Sequence, residues 1–357
     1  MVKKVVLVYF AAALCFSCFR PMSAAGQYSS GFVYQALNLP NSARISAMGG
    51  APLAIKDDDL SLALANPSLL TKNMSDKLAL SFVSYFAGVK YGFASYSKYF
   101  KKYGAFDAGI QYVNYGNFME ADETGLVIGN FSANDMALNI GWARPLDSNF
   151  TIGANLKGIY STMYDYYSFG LGADVALTYN NSKKGLTISL LSKDMCREIK
   201  PYRKDNKEPV PFEVQLAMSK KLQHVPLRIS LVLQHLEKYD LTYSDPNNPE
   251  PTTDPLTGEP LPPKKFSKFA DKVGRHIVIG AEFVPSKNFS LRFGYNYQRR
   301  QELKVDQKLS TVGFCWGFGI RISKFQLSYA RARYHLAGSP NTITISTSLS
   351  DFLKKGK

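Results

Sequence analysis

The chain has 357 residues, with 43 Lys and Arg against 28 Asp and Glu, giving a formal net charge of +15. That balance admits an anionic partner, yet no basic block dominates and no nucleic-acid motif is present, so an acidic protein or anionic lipopolysaccharide fits better than nucleic acid. Of four cysteines only Cys196 and Cys315 lie beyond the N-terminal apolar run, which excludes a disulfide-dense scaffold and a cysteine-rich zinc site, while 22 Tyr and 23 Phe beside 20% charged residues suit a membrane β-barrel with aromatic girdles.

Lys3 and Lys4, the apolar run from Val5 to Phe19 and the small residues Ser23, Ala24 and Ala25 form a secretory signal over residues 1–25, cleaved between Ala25 and Gly26. Cys15 and Cys18 leave with it. Of the remaining two, Cys315 falls on a barrel-interior position and Cys196 in a loop, so both read as free or buried thiols. Residues 26–76 then read as a plug or hatch. The stretch from Tyr34 to Leu70 is interrupted by Pro40, the Gly49-Gly50-Ala51-Pro52 turn and Asn66-Pro67, while Leu53, Ile55, Leu60, Leu62 and Leu64 give it apolar faces to bury. Asp57, Asp58 and Asp59 raise a calcium hypothesis, but three adjacent acids diverge, and capping of a helix starting at Leu60 explains them better.

From residue 77 the grammar changes to alternation with a period of two, the mark of strands with one face in lipid and the other in a polar lumen. Leu78, Leu80 and Phe82 begin it, followed by Tyr91 and Phe93, then Phe106, Ala108, Ile110 and Tyr112. Further strands run through Met136–Trp142, Phe150–Leu156, Phe169–Leu177, Leu186–Leu190, Phe212–Met218 and Leu227–Leu233. Ile277–Phe283, Phe289–Tyr297, Val312–Ile320, Phe325–Tyr329 and Thr342–Leu349 complete the series, with Glu282, Arg292 and Asn296 on the inner face. The expected fold is all-β: a membrane-spanning antiparallel barrel of about fourteen strands over residues 77–357, with an N-terminal hatch.

Short connections such as Pro145 to Asn149 and Ser323-Lys324 alternate with longer ones at Gly116–Phe131, Ser161–Tyr167, Lys193–Val210 and Lys238–Lys272. Outer-membrane barrels carry short periplasmic turns and long external loops, which places both termini on the periplasmic side. Two external loops are candidate partner-binding surfaces. The 193–210 loop offers Arg197, Tyr202, Arg203 and Lys204, a cationic and aromatic set suited to acidic groups. The 238–272 loop offers Pro249, Pro255, Lys264 and Lys265, and reads equally as an external arm or a solvated loop. No GxSxG, HExxH or Walker loop sets a nucleophile or a base, so no enzyme, cofactor or metal is expected.

The segment Tyr34-Gln35-Ala36-Leu37, Leu39-Pro40, Ser42-Ala43-Arg44, Ala47, Gly49-Gly50 and Ala65-Asn66-Pro67-Ser68-Leu69-Leu70 resembles the N-terminal region of the PorQ family, outer-membrane barrels of the type IX secretion system. Its Asn66-Pro67 element also resembles long-chain fatty-acid transporters, whose fourteen-stranded barrels hold a hatch. The first resemblance implies a non-enzymatic anchor that holds a PorZ-like surface protein beside a PorU-like sortase and a PorV-like barrel while cargo is joined to lipopolysaccharide. Under it, Pro40, Arg44, Gly49, Gly50, Asn66 and Pro67 form the hatch motif. The alternative is an outer-membrane transporter of hydrophobic small molecules, in which the hatch moves.

Overall fold

The computed structural model describes residues 32–51, 53–204, 207–242, 265–304, 311–335 and 338–353. The signal with its Ala25–Gly26 junction, and Pro249, Pro255 and Lys264, lie outside them. Among the described residues, fourteen strands form a closed barrel: β1 (Lys77–Ser84), β2 (Lys90–Phe100), β3 (Gly104–Ala121), β4 (Val127–Pro145), β5 (Phe150–Met163), β6 (Tyr166–Asn181), β7 (Leu186–Lys200), β8 (Glu213–Lys221), β9 (Leu227–Leu233), β10 (Ile277–Ser286), β11 (Phe289–Asn296), β12 (Phe314–Ile322), β13 (Phe325–Ala332) and β14 (Asn341–Ser348). Each strand pairs antiparallel with its sequence neighbours, and β14 returns to β1 with Leu80 opposite Ile345 and Phe82 opposite Ile343. Closure leaves no unpaired edge, as a lipid environment requires. No described helix is long and apolar enough to cross a membrane.

The alternation sorts side chains by face. Leu156, Ile140 and Phe293 stand outward and exposed, while Asn155, Asp107 and Arg292 stand inward and buried. Aromatic pairs ring both ends of the outer surface: Phe100 with Phe106 and Phe150 with Tyr179 at the end bearing the short turns, Tyr160 with Tyr167 and Tyr295 with Phe314 at the other. These are the girdles an interfacial environment favours.

Several local expectations are corrected. Tyr91 and Phe93 point inward, not outward, because the register sets the small Gly92 and Ala94 beside Phe82 and Leu80 on the outer face. Inside, the two aromatics find an apolar floor at Ala36, Val83 and Val113. Two of the expected long loops are largely strand: β3 and β4 extend into a hairpin turning at 122–126, and β5 and β6 meet in a turn at 164–165. β7 likewise runs on to Lys200, so Cys196 sits in that strand, not in a loop. Both described cysteines are free. Val312 is buried ahead of β12, and Tyr297 opens a helix instead of ending a strand.

The helices are few. α1 (Ala43–Ala47) and α2 (Leu60–Ala63) belong to the N-terminal segment, α3 (Lys265–Arg275) ends the long β9–β10 connection, and α4 (Tyr297–Leu303) follows β11. Ser42 caps α1, its hydroxyl accepting from Ile45 N, and Asp59 caps α2, accepting from Ser61 N.

Residues 33–76 pack against the inner wall. Ile45, Met48, Leu53, Ile55, Leu62 and Leu69 bury with the wall residues Ala217, Val232 and Val278. Leu60, Leu70 and Met74 bury with Ala79, Ala105 and Ala143. Each of the larger side chains removes apolar surface worth roughly 1.5–3 kcal/mol. Close approach rests on missing wall side chains: a Cβ at Gly153 would lie 2.7 Å from Ser68 Cα, and one at Gly294 would lie 2.7 Å from Ala47 O.

Candidate functional site

Polar wall residues tie the segment down along its length. Thr344 Oγ1 accepts from Ala43 N at 2.8 Å, Asn296 Nδ2 donates to Gly49 O at 3.2 Å, and Lys193 Nζ donates to Asn38 Oδ1 at 2.9 Å. Tyr34 and Ser168 share a hydroxyl hydrogen bond of 2.6 Å, as do Ser68 and Thr178. These contacts reach strands on several sides of the barrel, so the segment is held by the wall as a whole.

Arg44 is the densest anchor. Its Nε and Nη2 donate to the two oxygens of Glu282 on β10, at 3.0 and 2.8 Å. Nη2 also pairs with Asp57 at 2.8 Å and Nη1 with Asp59 at 3.1 Å. Glu282 in turn accepts from Arg292 Nε at 2.8 Å and Arg228 Nη1 at 2.7 Å. Burial works against the Arg44 charge, but the carboxylates of Asp57, Glu282 and Asp59 outweigh it and hold the guanidinium well above its ordinary pKa. Two parallel bonds from a planar guanidinium to one carboxylate fix orientation as well as charge, which lysine does not reproduce.

Either side of α1 lies open space. A cavity of about 490 Å³ faces the long-loop end, floored by Leu37, Leu39, Pro40, Ile45 and Leu64 and walled by polar groups including Gln215, Gln234 and Gln298. A second, of about 190 Å³, faces the short-turn end and is lined by Arg44, Asp57, Asp59, Glu282 and Arg292. Ile45 thus borders one cavity and Arg44 the other. The five-residue helix therefore contributes to the lining of both.

The residues singled out in the sequence separate into groups. Arg44 is the anchor, and Pro40 lies buried at the cavity floor. Gly49 and Gly50 adopt positive φ of 104° and 89°, and a Cβ on Gly50 would meet Arg299 Nη2 at 2.5 Å. Asn66 Nδ2 donates to Leu53 O at 3.4 Å and its Oδ1 accepts from Ser68 at 2.7 Å, while Pro67 opens a short 3₁₀ turn. Tyr202 packs inward near Tyr34 and Ile159, whereas Arg197, Arg203 and Lys204 are exposed and Arg203 stacks over Tyr166. Lys265 begins α3. Among the described residues no group of three or more His, Cys, Asp or Glu is arranged to hold a metal. What the sequence reading missed is that Asp57 and Asp59 serve Arg44. The signal was present in the inward strand positions of Glu282 and Arg292, opposite one another in the β10–β11 register.

No protein-family model matches the sequence, and no curated protein matches it. Among solved structures, the toluene transporter TbuX of Ralstonia pickettii is similar at 14% identity over 87% of this chain and 99% of its own, with a TM-score of 0.51. A mutant of TodX, a monoaromatic hydrocarbon channel and the toluene transporter of Pseudomonas putida, is similar at 15% identity over 87% and 98%, also at 0.51. A FadL homologue of Pseudomonas aeruginosa aligns at 9% identity over 86% and 98%, with a TM-score of 0.46. What this chain shares with the first two is the fold, a closed, fourteen-stranded antiparallel barrel.

Proposed function

We propose that this barrel is an outer-membrane passage for a small molecule with an apolar body and a polar end. The observation that carries this reading is the pair of cavities on either side of α1. The larger opens at the end taken as external and offers an apolar floor beneath polar walls, the mixture that pockets use to hold and orient a small amphipath. Withdrawal of Arg44 from Glu282 would join it to the smaller cavity on the periplasmic side. The barrel supplies no reacting group in this account, and transport needs none. The transporter character of the TbuX and TodX barrels agrees with this reading. Its test is uptake of radiolabelled decanoate by cells that lack their own hydrophobic-solute barrel and express this chain. Uptake above the empty host supports the passage, and equal uptake removes it.

The second reading, a non-enzymatic anchor of the type IX attachment complex, is favoured by the extended β3–β4 hairpin, whose exposed Phe118, Met119, Leu126, Val127 and Ile128 stand beyond the span a strand needs to cross a bilayer. In that role the barrel holds a PorZ-like protein beside a PorU-like sortase and a PorV-like barrel, at a lipopolysaccharide-bearing surface. The N-terminal segment is then a permanent plug. Affinity purification from outer membranes in mild detergent tests it: co-elution of a large surface protein with a sortase-like one supports the anchor, and elution alone removes it.

A further inference from the structure

Below the larger cavity the inner wall carries a carboxylate without a counterion. Asp107 on β3 is 2% exposed, and both its oxygens lack a hydrogen-bond partner. Across the sheet the register runs Asp107, Gly141, Asn155, Asp174 from β3 to β6, all on the inner face. Gly141 leaves a gap in that row. A Cβ there would lie 2.6 Å from Asn155 Oδ1 and closer still to Asp107 Oδ1, so both oxygens lean into the space a side chain would fill.

The orientation of the Asn155 amide is fixed by its other side. Its Nδ2 donates to Asp174 Oδ2 at 3.0 Å and to Leu64 O at 3.4 Å, which turns Oδ1 toward Asp107 and leaves it without a donor. Rotating the amide would set its oxygen against a carboxylate and a carbonyl instead. Asn139, two residues from Gly141 on β4, repeats the pattern: its Nδ2 reaches Leu64 O at 3.5 Å and its Oδ1 has no partner. Buried acceptors facing one another without a donor are costly, and native interiors resolve them.

Neighbouring lysines do not supply the missing charge. Lys157 is committed to Asp174 at 2.8 Å and Asp194 at 2.6 Å, and Lys193 pairs with Asp194 and Glu213 at 3.3 and 3.5 Å. Two ammonium groups therefore serve three carboxylates before Asp107 is counted.

We infer that the Gly141 gap is a binding site for a hard cation of the sodium or calcium class, held by the Asp107 carboxylate and the Asn155 amide oxygen, with Asn139 Oδ1 beside it. Carboxylate and amide oxygens are the donors such ions select, and calcium sites keep water in their remaining positions. Asn139 and its register partner Gly109 line the larger cavity, which gives a hydrated ion its route. The site is a property of the wall and stands whether the barrel passes a solute or anchors a partner.

The test uses the whole chain folded in detergent, treated with chelator and exchanged into choline buffer, then titrated calorimetrically with calcium and separately with sodium. Saturation by either ion at one per chain is expected, with Asp107→Asn weakening it by roughly tenfold or more. Gly141→Ala, whose methyl takes the gap and forces the Asp107 and Asn155 oxygens aside, should weaken it as well. A wild-type barrel that binds neither ion overturns the site, and so does binding that both variants retain at wild-type strength.

Discussion

Arg44 concentrates the electrostatics of the N-terminal segment, because one guanidinium there answers three carboxylates, two from that segment and one from β10. Arg44→Ala leaves Glu282 and Asp59 buried without that cation, and loss of one partner from a buried network typically costs about 3–5 kcal/mol. We expect urea unfolding in lipid to register a loss of that size, and Arg44→Lys, which cannot make the paired bonds to Glu282, to lose part of it. A second residue-scale effect depends on pH. Burial opposes the His235 charge, but Glu237 at 3.2 Å and Glu213 at 3.8 Å raise its pKa above the ordinary imidazole value. A raised folded-state pKa contributes stability that is fully present below the unfolded value and is lost as pH rises through the folded one. The turn after β9 should therefore exchange its amides more slowly at about pH 6 than at about pH 8, after correction for intrinsic rates, and His235→Gln should abolish the difference.

At the scale of elements, the strands were the most legible part of the chain, since a membrane barrel writes its two environments into alternate residues. Phe293 illustrates this: it stands outward in the middle of β11 and is 57% exposed. Phe293→Arg should cost about 2–4 kcal/mol if the bilayer midplane lies there, as read by urea-dependent unfolding in vesicles. β2 shows where the alternation misleads. Tyr91 and Phe93 face inward because the N-terminal segment supplies an apolar surface there, and a pattern of two cannot say which side is lipid once both sides are apolar. In the sequence the hairpin of β3 and β4 looks like a loop because its register shifts near Asn114 and again at Glu120 break the alternation. Glycines in the wall carried a further signal. Gly294→Val should drive the segment off the wall near Ala47 and destabilise the barrel by roughly 1–3 kcal/mol, an overpacking cost that calorimetry would detect.

For the whole molecule, strand count and closure followed from the sequence, whereas the way the N-terminal segment is anchored inside did not. The Arg44 cluster joins residues 44, 57, 59, 228, 282 and 292, and only the closed barrel brings such distant positions together. Charged residues at single inward positions of β9, β10 and β11 hinted at interior pairing without naming the partner. The cavities were illegible for the same reason: their shape depends on how residues 33–76 fill the interior, which no local pattern encodes.

On the proposed passage, α1 has to move before a solute can cross. Ser46 Oγ lies 3.3 Å from Thr342 Oγ1 on β14, close enough for a pair of cysteines to bridge α1 to the wall. The decisive measurement is decanoate uptake by cells expressing Ser46→Cys/Thr342→Cys in a background where Cys196 and Cys315 are Ser, before and after reduction. Uptake that is blocked when the bridge is oxidised and restored when it is reduced is the result the proposed passage predicts. Equal uptake in both states, with the bridge verified by mass spectrometry, would contradict it.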